Sequence, residues 1–488
     1  MFSVSQGAPS SSVQPSSNRD TTRWLFILAG LAILGASTLV PGPAGMKPEA
    51  VRTLGVMVTT VLWWVTETLP IPVTALLVPV MVHALGITPL PDTIREGFGD
   101  TLIPFLVGVL GLSLAFGVSG LGKRITYLLL SLSGTNVTRV VGVYLLVSFV
   151  VSMFITDVAV VAMMLPLVIG LLSTIDAKPG SSNVGRALMM AIMFGSTLGG
   201  VSTPAGVSSN IITMGFITKN AKLGISFLDW TAIATPIFIV IALATWWLIM
   251  RIFPPEMKSL PYGRETIQAE LEKMGVWSSK EISTLAVFLI AVALWLTSDM
   301  TKIPIAFVSL LILGGLSLPG IGVFQKWSQI EKGIEWGAML LVVGGFTLGI
   351  AATNSGLATW VAQNALTPMA AIPATFQPLA VTLLVALDSL GFSSFGAAAS
   401  VNVPFIIAYA QAHGFPVLSL AMAAGFAAST HFILVTESPS FVLPYAYGYF
   451  SFKDLAKIGV IVTLLSAVLI AVGMVVAGLP VGVPLPTK

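Results

Sequence analysis

The sequence predicts an all-α polytopic membrane protein, with about eleven transmembrane helices and two re-entrant hairpins in an inverted repeat. Three observations predict it. Of the 488 residues, 56% are apolar and only 9% are charged, against about 25% charged in a soluble globular protein. Mean hydropathy is +0.96, and the apolar residues fall into blocks of the ~20 residues that cross a bilayer. Finally, one block aligns with another without a gap over 21 residues. FLVGVLGLSLAFGVSGLGKRI at 105–125 lies on LVVGGFTLGIAATNSGLATWV at 341–361. Gly108 meets Gly344, Leu112 meets Leu348, Ala115 meets Ala351, and Ser-Gly-Leu at 119–121 meets Ser-Gly-Leu at 355–357. The offset of 236 is close to half the chain. An apolar chain of two related halves is the mark of a secondary transporter with its site where the halves meet.

The elements follow in order. Residues 1–21 are rich in Ser, Gln and Pro, carry no apolar run and read as a disordered tail. A first transmembrane helix falls within 22–50; its apolar run is too long for a cleaved signal. A first repeat occupies 51–252, with spans at 51–68, 71–88, 101–121, 184–218 and 230–252 and a hairpin at 139–173. A cytoplasmic linker at 253–280 contains Pro254-Pro255. The second repeat occupies 281–479, with spans at 281–298, 303–317, 336–358, 416–449 and 455–478 and a hairpin at 376–412. Residues 480–488 form a tail. Each hairpin stretch holds two short arms around a polar middle, Thr156-Asp157 in one and Asp388 through Gly396 in the other. Non-helical backbone at mid-depth must be buried in protein, which suits a re-entrant tip. Periodicity alone leaves open two plain spans with a tight loop, or one long tilted span.

Charge sets the orientation. With an inside N-terminus, 16 of the 23 Lys and Arg residues fall inside and seven outside, as the positive-inside rule requires. Five spans per half is odd, so the second half enters the bilayer upside down.

The chemistry lies at the breaks. Thr156-Asp157-Val158 stands ten residues before Pro166, and Ser394-Phe395-Gly396 ten before Pro404. Each second arm therefore starts at a tip, with free N–H groups that bind an anion without a buried Lys or Arg. Helix capping alone would also explain these residues. Thr156, Asp157, Val158, Ser393 and Ser394 are the candidate substrate contacts. Two later spans are interrupted, by GGVSTPAGVSSN at 199–210 and STHFILVTESPS at 429–440. Their carbonyls and hydroxyls could coordinate a cation or a carboxylate, or could merely repair proline kinks. Asn210, Thr436 and Ser438 join the substrate candidates. Asp157, Gly199, Thr203, Asn210 and Glu437 are the candidates for a cation or a proton.

Ionisable residues within spans are Glu67, Asp157, Asp388, His431 and Glu437. An acid in the membrane is costly and is a functional candidate by default. Glu67 lies at a span end near Pro70 and Pro72, where capping explains it. His431 fits a packing role. Asp157 and Glu437 sit at breaks and would carry a proton or pair with a cation. The absence of cysteine excludes disulfides and thiolate metal sites. No nucleotide loop, metal-binding His cluster or nucleophile–base pair occurs, so no enzyme, metal site or cofactor is expected. The net charge of +3 gives no reason for a nucleic-acid partner.

The run Trp63-Trp64-Val65-Thr66-Glu67-Thr68-Leu69-Pro70 resembles the Trp-Trp-x-Thr-Glu-Ala-x-Pro signature of the divalent anion/sodium symporter family. Ile334-Glu335-Trp336 followed by Val343-Gly344-Gly345 is similar to that family's ninth span. The resemblance covers the chain from about residue 22. It implies two inverted halves, an elevator motion, a homodimer, and sodium as coupling ion for di- or tricarboxylates or sulfate. The family's hairpin tips read Ser-Asn-Thr; here they read Thr156-Asp157-Val158 and Ser394-Phe395-Gly396. Its broken spans carry Thr-Pro-Pro-Asn; here Val207-Ser208-Ser209-Asn210 keeps only the Asn, and the second break reads Glu437-Ser438-Pro439-Ser440. Thr430-His431-Phe432 resembles the Thr-His-Tyr run of the dicarboxylate and citrate exchanger branch.

The leading expectation is an inner- or plasma-membrane carrier of small organic anions, dicarboxylates first among them. It would work by alternating access of elevator type, coupled to protons, sodium or a counter-substrate. A cation/proton antiporter using Asp157 and Glu437 is one alternative. A non-transporting membrane receptor or scaffold is the other.

Overall fold

In lipid, a chain must satisfy its own backbone polar groups, and apolar blocks of this length do so as helices. The computed structural model describes residues 17–131, 134–260 and 264–477. Among these residues the regular structure is helical, apart from one isolated bridge between Asn136 and Ser259. Most of the expected N-terminal tail and the expected C-terminal tail lie outside the described residues. Residues 17–21 are not tail but the start of the first helix.

That helix, α1 (Ser17–Leu39), packs on α2 (Pro48–Val65). The first half continues with α3 (Ile71–Ala84), α4 (Leu90–Phe98), α5 (Leu102–Ser119), α6 (Leu121–Leu130), α7 (Val137–Ser152), α8 (Asp157–Thr174), α9 (Asn183–Val201), α10 (Ser208–Lys219) and α11 (Phe227–Ile252). A short polar helix, α12 (Arg264–Lys273), follows. The second half has α13 (Ser279–Leu296), the single turn α14 (Ser298–Thr301), α15 (Ile305–Leu316), α16 (Trp327–Gly333), α17 (Trp336–Asn354), α18 (Leu357–Asn364), α19 (Gln377–Ser389), α20 (Phe395–His413), α21 (Val417–Ala427), α22 (Pro439–Tyr445) and α23 (Phe452–Val476). With α14 set aside, α2 to α11 match α13 to α23 one for one. Among the described residues, nine helices are long and apolar enough to cross a membrane unaided. The eleven expected spans are all present as helices or broken helices, and the two hairpins are α7–α8 and α19–α20. The short helices α4, α6, α16 and α18 were not anticipated.

The matched stretches show why the repeat is visible in sequence. Gly120 and Gly356 both take the left-handed conformation, φ +84° and +82°, which glycine adopts without a Cβ penalty. Each ends a long helix (α5 or α17) and turns the chain into a short arm (α6 or α18). The serine of each Ser-Gly-Leu run then caps the arm: Leu121 N–H donates to Ser119 Oγ at 3.2 Å, and Leu357 N–H to Ser355 Oγ at 3.4 Å. Gly108 and Gly344 are matched for a different reason. A methyl on Gly108 would lie 2.2 Å from the Ser309 carbonyl oxygen, and one on Gly344 would lie 2.6 Å from that of Ala75. So α5 crosses α15, and α17 crosses α3, with backbone against backbone at a glycine. Ser309 and Ala75 are themselves repeat mates. The halves also share a capping box, Ser226-Phe227-Leu228-Asp229 at α11 and Ser451-Phe452-Lys453-Asp454 at α23.

Past α11 the chain returns to cap α9. Glu256 Oε1 accepts from Ser182 Oγ at 2.5 Å, and Oε2 accepts from the N–H of Asn183 and of Val184, each at 3.0 Å. Burial alone would raise the Glu256 carboxyl, but the Ser182 bond and the backbone amides outweigh it and lower it below its ordinary 4.5. A lowered folded-state value stabilises the protein above pH 4.5, and that contribution is lost as pH falls through the folded value. Thermal unfolding in detergent should therefore fall more steeply on acidification below pH 5 for wild type than for Glu256→Gln. Equal slopes would contradict the cap.

Candidate functional site

Both interrupted spans and both hairpin tips meet. The starts of four half-helices line a single cavity of about 290 Å³. They are Thr156, Asp157 and Val158 at α8; Val207 and Ser208 at α10; Ser394 and Phe395 at α20; and Ser438 and Pro439 at α22. The two halves exchange partners here. α10 packs on α20, and α22 packs on α8. Gly396 permits the first contact, since a methyl there would meet Ser208 Oγ at 2.8 Å. A bond between Ser209 Oγ and Ser429 Oγ, 2.6 Å long, ties the two breaks together.

The cavity's chemistry is one-sided. No Lys, Arg or His lines it, yet Asp157 and Glu335 do. Asp157 is 6% exposed, and its Oδ2 is buried without a hydrogen-bond partner. The Ser440 hydroxyl faces its carboxyl. The positive ends of the helices and their free N–H groups are what remains to attract an anion. Across the cavity the walls are apolar or small: Ile71 and Pro72 at the start of α3, Leu106, Val109 and Leu110 on α5, and Gly337, Ala338 and Leu341 on α17.

Of the candidate substrate contacts, Thr156, Asp157, Val158, Ser393, Ser394 and Ser438 line the cavity. Thr436 and Asn210 do not. Thr436 is exposed on the turn before α22. Asn210 is fully buried behind the first break. Its Nδ2 donates to the carbonyls of Gly200 at 3.0 Å, Val201 at 3.2 Å and Thr203 at 2.6 Å. These are carbonyls that the end of α9 leaves without a helical partner, so Asn210 holds the break open rather than facing the cavity. Its Oδ1 is buried and unpartnered. Gly199 lets α9 touch the first hairpin: a methyl there would lie 2.0 Å from the Phe149 carbonyl oxygen. Thr203 Oγ1 donates to the Met153 carbonyl and accepts from Ala205 N–H. Thus Gly199, Thr203 and Asn210 cluster around one break, next to the first hairpin.

Glu437 lies within the second break and is fully buried. Its Oε1 accepts from Leu434 N–H at 2.8 Å and Ile433 N–H at 3.2 Å, while Oε2 is unpartnered. It shapes the unwound segment and does not line the cavity. Phe395 packs edge-on against His431, with ring centroids 5.5 Å apart and planes at 87°. Asp388 is exposed and accepts from Asn402 Nδ2 at 2.8 Å. Glu67 stands in the turn between α2 and α3 with φ +46°. Glu335 and the start of α3 were missed as site residues. The Ile334-Glu335-Trp336 run was the one signal that could have found Glu335.

The geometry separates two neighbouring hydroxyls. Ser438→Ala should lower substrate affinity at least fivefold, because Ser438 lines the cavity and caps Ser440 N–H at 3.3 Å. Thr436→Ala should leave affinity within twofold. Titration of the two purified variants with a carboxylate ligand checks this; equal losses would contradict the placement.

Residues 21–483 match the family model described as the sodium:sulfate symporter transmembrane region. The chain is 27% identical over 492 residues to a sodium-dependent dicarboxylate transporter, SdcS, of Staphylococcus saprophyticus, covering 95% of this chain and 93% of that one. It is 25% identical over 473 residues to a membrane protein of Cupriavidus necator, covering 91% and 90%. Among solved structures, the Alcanivorax borkumensis YdaH transporter shares the fold, with a TM-score of 0.54 at 15% identity, covering 94% of this chain and 99% of that one. A match over nearly the whole length, on a scaffold of paired broken helices, places this chain in the sodium:sulfate symporter family, as a multi-pass membrane secondary transporter and not an enzyme.

Proposed function

We propose that the protein carries small organic anions, dicarboxylates in particular, through the cytoplasmic or plasma membrane by an elevator form of alternating access. The convergence of four half-helix starts on one cavity without a basic side chain carries this reading. N–H groups at opposed tips can each take one carboxylate of a short diacid. The name of the staphylococcal relative points to the same substrate class. The hairpins with α9–α11 and α21–α23 form the moving part; α2–α6 and α13–α18 form the frame. The N-terminus is cytoplasmic, from the Lys and Arg bias, and the working unit is a homodimer, as the family resemblance implies.

Coupling differs between the halves. In the first half, Asp157 at the hairpin tip and the Asn210 Oδ1 atom behind the break are buried, unpartnered oxygens that suit a cation or a proton. At the second tip, Phe395 offers a ring where a hard cation needs oxygen. Uptake of labelled succinate into proteoliposomes, under imposed sodium or pH gradients, tests the proposal. Uptake should be driven by a cation gradient with a sodium Hill coefficient of about one or less. No uptake of any diacid or sulfate would reject the substrate class, and a coefficient near that of a multi-sodium symporter would reject the role given to Phe395.

A second reading, cation/proton exchange, draws on the unpartnered oxygens of Asp157 and Glu437. Carboxylate binding by the purified protein separates the two, because an exchanger of cations needs none.

A further inference from the structure

We propose that Lys219 and Asp100 form an ion-pair latch that holds the outer side of the carrier shut, so that this conformation is open to the inside. The proposal rests on the alternating-access reading above. Lys219 is the last residue of α10, whose first residue lines the cavity. Its Nζ lies 2.6 Å from Asp100 Oδ2, donates to the Glu96 carbonyl at 2.8 Å, and stands 5.1 Å above the Phe346 ring. The Asp100 side chain is 6% exposed and that of Lys219 is 28% exposed, so solvent screens this pair less than a surface one. Beneath it, Phe346 meets Phe216 edge-on at 5.4 Å. Gly215 makes room for that ring, since a methyl there would lie 2.3 Å from it. Asn220 then donates to Thr353 Oγ1 at 2.7 Å. The far end of a moving helix is thus fastened to α4, to the turn between α4 and α5, and to α17 of the frame.

The other side is different. The substrate cavity touches the starts of α3 and α17, ends that the charge pattern assigns to the inside. A second cavity, of about 310 Å³, shares Leu110, Thr156 and Glu335 with it and extends along α5 to Gly117 and Val118. A cavity of about 390 Å³ beside Asp100 and Lys219 shares no lining residue with the substrate cavity.

The inverted repeat supplies the comparison that matters. An offset of 236 puts Asp100 opposite Trp336, next to Glu335. Counting from the two helix starts at Ser208 and Pro439 puts Lys219 opposite Phe450. The inner counterpart therefore keeps an acid but has no cation, and among the described residues Glu335 has no ion-pair partner. A latch on one side only biases the equilibrium toward the state that forms it.

The natural chain has no cysteine, which makes thiol accessibility a clean test. Ala338→Cys, at the cavity wall, would be labelled by a membrane-impermeant thiol reagent from either side of oriented proteoliposomes. In an otherwise wild-type protein, labelling should be several-fold faster from the inside. Adding Lys219→Ala should lower the inside-to-outside ratio at least fivefold, and the charge swap Asp100→Lys with Lys219→Asp should restore it. Linking Asp100→Cys to Lys219→Cys with a short bifunctional methanethiosulfonate should block uptake until the linker is reduced. An unchanged ratio in Lys219→Ala, faster outer labelling in wild type, no link, or undiminished uptake in the linked protein would each overturn the latch. The labelling ratio needs no substrate. Failure of succinate uptake with the ratios as expected would reject the substrate class and leave the latch standing.

Discussion

Replacing Asp157 with asparagine is expected to abolish the drive that a pH gradient gives to uptake. Asp157 lies on the wall of the cavity with one oxygen buried and unpartnered. Glu335 lies on the same wall, and no basic side chain joins them. Leaving a buried carboxylate ionised and unpaired costs several kcal/mol, and the start of α8 offsets at most ~2 kcal/mol of that. The dianionic substrate proposed above would add two like charges. On that proposal positive charge enters with the substrate, and a proton on Asp157 is the form that needs no coordination shell. Wild-type uptake should rise at least tenfold under an inward proton gradient, while Asp157→Asn should show no rise. If a sodium ion pairs with Asp157 instead, the variant loses sodium dependence and keeps its pH profile. Identical pH responses in two active proteins would contradict the proton role.

The second large effect concerns backbone contact at the breaks. Gly459 on α23 faces the unwound segment of the second half, where a methyl would lie 1.7 Å from the Phe432 carbonyl oxygen. On the same helix, Thr463 Oγ1 accepts from Phe432 N–H at 3.1 Å. In the first half, Gly199 on α9 makes a backbone contact of the same kind, against Phe149 of the helix α7. Backbone cannot yield as a flexible side chain does, so a methyl on Gly459 must push the unwound segment away from its support, and one on Gly199 must push α9 from α7. Overpacking of this kind costs about 1–3 kcal/mol or more. Gly459→Ala should lower the unfolding temperature by several degrees and reduce uptake at least tenfold. The second effect should exceed what the folded fraction explains, because the shifted segment leads straight into Ser438. Wild-type melting and uptake would contradict this account of the break.

Much of this fold could be read from sequence because the same local problem is solved twice. The Ser-Gly-Leu runs each stop a long helix with a left-handed glycine and start an arm with a serine cap. The breaks at 199–210 and 429–440 were legible from glycine, proline and hydroxyl residues in apolar surroundings. The site was only partly legible. Residues at the tips reach the cavity because a helix start there has little choice of direction. Which way Asn210 and Glu437 face was not legible, because a polar group near a break can face the cavity or the freed backbone. The second option won: Asn210 binds carbonyls of the first break and Glu437 binds amides of the second. Glu335 was missed because what brings it to the cavity is the crossing of α17 with α3, a long-range contact that periodicity does not encode. The short arms α6 and α18 escaped for a related reason: they are amphipathic or too short to register as spans.

The central claim is that four half-helix starts make one carboxylate site. The most direct measurement is a cryo-electron microscopy structure of the protein with saturating succinate. The account predicts density for the diacid between residues 156–158 and 394–396, with its carboxylates within hydrogen-bond distance of N–H groups or hydroxyls at the starts of α8 and α20. Succinate bound elsewhere, or an empty cavity at concentrations that saturate uptake, would contradict it.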